Sequence, residues 1–274
     1  MTSSPTPYAP GPVAPVAPAR RGSALPWVLV AVLAVVALVL GVLLAVGGGS
    51  DSSEQQGFAT PEEAIEFSTE KIAEGDAAAA LTAWAGDAQA ENLDLVGSLE
   101  RVRVLSPADA SSLPSDDELF VELGQTVRAG TAADQYRRMA FSLLLPEVST
   151  DSTTMLGDGD GDGDVTAQDV ADGLDSERLA GLQAQRIDLV EGPAQYEEML
   201  QELAALVGAD ERREYVVLYE WDGETYLGGV SVLRYGDDWQ IETLASAMAG
   251  TANGALEPTT ADEYDDLLTD LSDS

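Results

Sequence analysis

The chain has no cysteine, no histidine and one lysine, Lys71. Without cysteine there is no disulfide framework and no cysteine-borne lipid anchor, so an exported domain must be held by its core, unless a metal helps. Without histidine or cysteine, a Ser-His dyad, a thiolate nucleophile, imidazole acid-base catalysis and a His-ligated zinc site are all excluded. No Gly-rich phosphate loop occurs. Positive charge is scarce as well, with 13 basic residues against 49 acidic ones and a formal net charge of −36. That balance repels nucleic acid and anionic headgroups and attracts cations and basic surfaces, and it also keeps a domain soluble.

What the sequence does have is an unbroken apolar run from Leu25 to Val46, preceded by Arg20 and Arg21 and followed by GGGSDSSEQQG. As a helix it would be about 33 Å long, close to the roughly 30 Å hydrocarbon core of a bilayer. We therefore expect residues 23–46 to form one transmembrane helix, with Pro26 in its first turn and Trp27 at the headgroup level. All 49 acidic residues lie beyond residue 50, and the segment before the run carries only the two arginines. Positive residues stay inside, which predicts a cytoplasmic N-terminus and an extracytoplasmic C-terminal portion. The competing reading is a cleaved secretory signal ending near Ala45-Val46-Gly47; against it, the run is longer than a cleavable apolar region of about 7–15 residues and follows a Pro-rich stretch.

Residues 1–22 are mostly Pro, Ala and Ser, a composition for a disordered tail, and 47–57 read as a flexible stalk. Residues 58–250 are long enough for one core, and 251–274 read as a solvated acidic tail with at most a short helix at 261–271. Thr60-Pro61-Glu62-Glu63 is a capping box with Pro at the first helical position, and Ala64, Ile65, Phe67, Ser68 and Ile72 recur at helical spacing up to Gly75. Asp76 caps a second helix at once. The segment 91–104 has a weaker helical period, 105–134 has no clear assignment, and Tyr136–Leu145, free of Gly and Pro, reads slightly better as strand than as helix. Beyond it, Gln183–Val190 reads as a strand and Pro193 opens a helix that closes at Gly208. Glu214–Trp221, Thr225–Arg234 and Trp239–Leu244 form an antiparallel meander joined by Asp222-Gly223 and Gly236-Asp237-Asp238.

The opening TPEEAIEF…KIAEGDAAAAL, two helices hinged at Gly-Asp, and the closing VSVLRYGDDWQIETL resemble the nuclear-transport-factor-2-like (cystatin-like cone) fold of extracytoplasmic domains in actinobacterial membrane-anchored proteins. The resemblance implies an α+β fold, a helical hairpin packed on a curved antiparallel sheet. The sequence departs from the family's pattern in its middle, where about 146–210 reads as an inserted acidic loop region.

Within that region lies MLGDGDGDGDVTAQDVADGL. A twelve-residue calcium loop over 158–169 would place Asp158, Asp160 and Asp162 at positions 1, 3 and 5, Gly163 at the sharp turn and the Asp164 carbonyl at 7. Thr166 falls at 9 and Asp169 at 12. Hard oxygens at alternate positions suit Ca²⁺. A start two residues later puts Val165 where Gly is needed. Asp at the last position and the lack of a leading helix make the loop similar to those of dockerins. The departing helix would start at Thr166 with Asp169 completing its cap. The other reading is a low-complexity acidic linker. No catalytic residues stand out, since Tyr219, Tyr226, Tyr235, Trp84 and Trp239 read as core.

The sequence thus points to a single-pass cell-membrane protein displaying a non-enzymatic α+β domain that binds a small ligand or an envelope protein. The alternatives are a calcium-ordered interaction module, and a hydrolase or isomerase using carboxylates in the pocket that the family resemblance implies.

Overall fold

The computed structural model describes residues 55–103, 105, 110–150, 152–157 and 165–272. The apolar run Leu25–Val46 and the Pro-rich tail lie outside them. Among the described residues no helix is long and apolar enough to cross a membrane.

The first helix, α1 (Pro61–Ala73), starts where its cap requires. Thr60 Oγ1 accepts the Glu63 N–H at 3.2 Å, and Glu63 Oε2 accepts the Ala59 N–H at 3.2 Å. It buries Ala64, Ile65, Ser68, Thr69 and Ile72 and ends at Gly75, whose φ of +76° a side chain would strain. Asp76 Oδ1 then accepts the Ala79 N–H at 3.0 Å to open α2 (Ala77–Leu81). Two short helices follow, α3 (Gly86–Asn92) and α4 (Leu95–Val102).

A 27-residue helix, α5 (Glu118–Leu144), comes next. It corrects the strand expected at Tyr136–Leu145. The buried positions Ala132, Gln135, Tyr136, Met139 and Leu143 recur three and four apart, and the helix buries so wide a face there that period alone does not reveal it. A short helix α6 (Ala167–Gly173) leads to β1 (Gln183–Leu189), α7 (Ala194–Leu206), β2 (Glu211–Trp221), β3 (Glu224–Tyr235) and β4 (Asp238–Thr243). The chain ends with β5 (Glu257–Pro258) and α8 (Ala261–Ser272).

The strands form one antiparallel sheet in the order β1-β2-β3-β4, with β5 pairing on β3 beside β4. The β2–β3 turn, Asp222-Gly223, has φ of +50° and +79°, as a two-residue type I′ hairpin requires. On one face of β2, Tyr215, Val217, Tyr219 and Trp221 join the core formed with α1, α2 and α5. Gly228, opposite Val217, leaves room for the Tyr219 ring, whose Cε2 would lie 2.7 Å from any added Cβ. The Trp84 Nε1–H donates to the Tyr136 hydroxyl at 2.7 Å inside this core, the two rings meeting edge-on at 5.5 Å.

The other face is buried too. Val216 and Leu218 pack with Val190 and Tyr264, the latter on α8. The Tyr264 hydroxyl lies 3.0 Å from both Asp188 Oδ2 and the Val216 carbonyl. The segment beyond Gly250, expected to be solvated, therefore adds a strand to the sheet and a helix to its second face. Likewise β1 and α7, within the span expected as an insertion, are integral: β1 is paired along β2, and Leu200 and Ala204 of α7 are buried.

Candidate functional site: an acidic cleft beside the first helix

The sheet's two buried faces leave concave space at the ends of β1. The larger cleft, about 700 Å³, runs between α1 and the chain that leads into β1. Successive turns of α1 present Glu66, Glu70 and Glu74 on one wall. Glu177 stands on the other, and Ala73, Leu182 and Ala184 supply apolar lining. Lys71 Nζ pairs with Glu74 at 2.6 Å, and that hydrogen bond raises the lysine's pKa. Glu66, Glu70 and Glu177 form no ion pair among the described residues. Arg178, next to Glu177, turns away, its guanidinium 5.9 Å from the Trp221 ring centroid and its Nη1 donating to the Gly173 carbonyl at 3.1 Å. The cleft therefore carries four exposed carboxylates against the one charge of Lys71, which acts on both Glu70 and Glu74, a net negative charge over an apolar base.

A second, smaller cleft of about 300 Å³ lies at the far end of β1, lined by Val190, Glu197, Leu200, Arg212 and Glu214 among others. Glu214 is fully buried. Its Oε2 accepts the Ser246 hydroxyl at 2.8 Å and the Met248 N–H at 3.2 Å, while Oε1 accepts no hydrogen bond and lies 3.6 Å from Arg212 Nη1. Arg212 is itself engaged by Glu242, Nε to Oε2, at 2.5 Å. Burial, with the Glu214 carboxylate nearby, pushes the Tyr196 phenol well above its ordinary value. Glu214 thus latches the 245–251 loop onto the sheet. Gly229 sits under the same loop, where an added Cβ would collide with Thr251 and Ser246.

Of the metal ligands expected from the sequence, Asp158, Asp160, Asp162 and Asp164 lie outside the described residues. Thr166 and Asp169 are described, and they cap α6. Thr166 Oγ1 accepts the Asp169 N–H at 3.2 Å, and Asp169 Oδ2 accepts the Thr166 N–H at 2.9 Å. Hydrogen bonds from the Thr166 hydroxyl and N–H lower the Asp169 pKa. The Gly157 N–H donates to the Val165 carbonyl at 2.9 Å, joining the two ends of the Gly-Asp segment. Among the described residues, no three acidic side chains gather as a metal site would require. Sequence reasoning overlooked both the cleft and Glu214. Glu66, Glu70 and Glu74 do recur every four residues, but Glu177 joins them only through the tertiary fold.

No protein-family model matches the chain, and no curated protein matches it. Among solved structures, a cystatin-like protein from Ruminococcus gnavus ATCC 29149 is similar to it, with 16% identity and a TM-score of 0.45 over 81% of this chain. The match covers 45% of that protein's length, so this chain spans less than half of it.

Proposed function

We propose that this protein is a membrane-anchored, extracytoplasmic binding domain of the nuclear-transport-factor-2-like type, non-enzymatic, whose acidic cleft takes a cationic ligand with an aliphatic body. The observation that carries the reading is the cleft itself, with Glu66, Glu70 and Glu177, which form no ion pair among the described residues, around apolar lining in a space of about 700 Å³. The anchor rests on the apolar run Leu25–Val46 and the charge asymmetry around it. A non-enzymatic role is supported by the interior beneath the helices, where Trp84, Tyr136, Met139 and Tyr219 pack in the core. Glu214, buried in the smaller cleft near Tyr196 with Oε1 accepting no hydrogen bond, is a feature that favours the alternative of carboxylate chemistry. Calorimetric titration of the full-length chain with spermidine tests it. We expect saturable binding that weakens about tenfold in Glu70→Gln/Glu177→Gln and fades with salt. Binding that ignores both changes would overturn it.

A second reading, a module ordered by calcium at 158–169, is supported by the hydrogen bond between Gly157 and Val165 on either side of the Gly-Asp segment and by the cap at Thr166. On this reading the melting temperature rises in millimolar Ca²⁺ and falls with chelator, and Asp158→Ala/Asp162→Ala abolishes the difference.

A further inference from the structure

Leu119, Phe120, Leu123 and Val127 lie along one side of the first half of α5 and are 59, 37, 45 and 39% exposed. Such spacing is that of a helix face made for packing, yet nothing among the described residues covers it. The C-terminal half of the same helix buries Tyr136, Met139, Leu143 and Leu144 in the core, and the first half rests on α3 through Gly124, which is buried against Ala90, so the stripe lies on the side turned away from both. Ser115 Oγ donates to the Leu93 carbonyl at 2.8 Å, tying the chain just before α5 to the corner before α4.

Area and charge together identify what fits. These four side chains expose on the order of 350 Å² of apolar surface, comparable to the largest patches on ordinary monomers and well short of the ~800 Å² each partner gives to a standard interface. That suits one docked helix more than a second folded domain. Asp116, Asp117, Glu118 and Glu122 crowd the N-terminal end of the stripe, and none of them forms an ion pair among the described residues. A parallel pairing of two copies would set Glu118 and Glu122 beside their own counterparts, a like-charge arrangement, whereas a helix flanked by lysine or arginine meets them with opposite charge. We infer that the exposed face of α5 is a docking surface for an amphipathic helix of a partner protein, with an apolar seam flanked by lysine or arginine.

The test uses the full-length chain in phosphatidylcholine nanodiscs and two synthetic amphipathic helices with the same leucine seam, one flanked by lysine and one by glutamate. The lysine-flanked helix binds saturably, Leu123→Glu weakens it about tenfold or more, and added salt weakens it further. Val127→Glu repeats the loss independently. Both variants change exposed positions and leave the melting temperature in place. Equal binding of the two helices, no saturable binding, or indifference to both substitutions overturns the inference. So does sedimentation equilibrium that shows a dimer abolished by Leu123→Glu, since the face then belongs to a second copy.

Discussion

Replacing Tyr264 separates a docked C-terminal helix from a solvated acidic tail. The side chain is fully buried, its ring against Val190, Val216 and Leu218, with the Arg186 guanidinium 4.7 Å from its centroid. Burying about 200 Å² of tyrosine at about 25 cal/mol per Å² sets an upper bound near 5 kcal/mol, and aromatic-to-alanine changes in cores cost about 3–5 kcal/mol. Tyr264→Ala should therefore cost about 4 kcal/mol. At about 2–4 °C per kcal/mol for a domain of this size, the melting temperature falls by roughly 8–16 °C. Tyr264→Phe keeps the ring and removes the hydroxyl shared by Asp188 and the Val216 carbonyl, which should cost about 1–2 kcal/mol. The assay is thermal unfolding of the full-length chain followed by tryptophan fluorescence, with Trp84, Trp221 and Trp239 buried as reporters. A Tyr264→Ala melt that coincides with the parent would refute the docking and restore the solvated tail.

Three further outcomes follow from particular contacts. Tyr136→Phe leaves the Trp84 indole N–H without its acceptor in the core and should cost about 1–3 kcal/mol by urea unfolding, with no change in slope. Burial raises the Tyr136 phenol to about 12, so its neutral form supports the fold fully below pH 10 and that support is lost as pH rises through about 12. Ultraviolet titration should show unfolding and phenol ionisation together in that window; Tyr136 ionising near pH 10 in the folded chain would contradict it. Glu214→Leu strips the Ser246 and Met248 hydrogen bonds from the 245–251 loop and should cost about 3 kcal/mol. It should also speed proteolysis there, and an unchanged cleavage rate would show that the loop is held by other contacts.

The sequence made α1, α2 and the β2–β3–β4 meander legible because each carries local punctuation: Thr60 and Asp76 as caps, Asp222-Gly223 and Gly236 as turns. The long helix α5 escaped for two physical reasons. Its first half exposes apolar residues and includes Gly124 and Gly130, which blurs the amphipathic period, and its second half buries too broad a face to show one. In α8 the signal was present, since Tyr264, Leu267, Leu268 and Leu271 recur at helical spacing. The many acids between them made the segment read as solvated, although acids on the outward face cost an amphipathic helix nothing. The acidic cleft joins Glu70 to Glu177 across more than a hundred residues. No local pattern encodes a site assembled at that distance.

The chain enters the described domain through paired backbone. The Gln56 N–H donates to the Thr82 carbonyl at 2.9 Å, and Phe58 exchanges hydrogen bonds with Trp239 of β4 at 3.2 and 2.8 Å. Two residues later Thr60 caps α1, whose next turns form one wall of the acidic cleft. Tension arriving along the chain from residue 55 would load the Gln56–Thr82 bond first, then the Phe58–Trp239 pair, and reach the helix that holds Glu66 and Glu70 only after they yield. Such an entry clip would act as a mechanical fuse, leaving the shape of the cleft unchanged by force on the preceding chain until those bonds break.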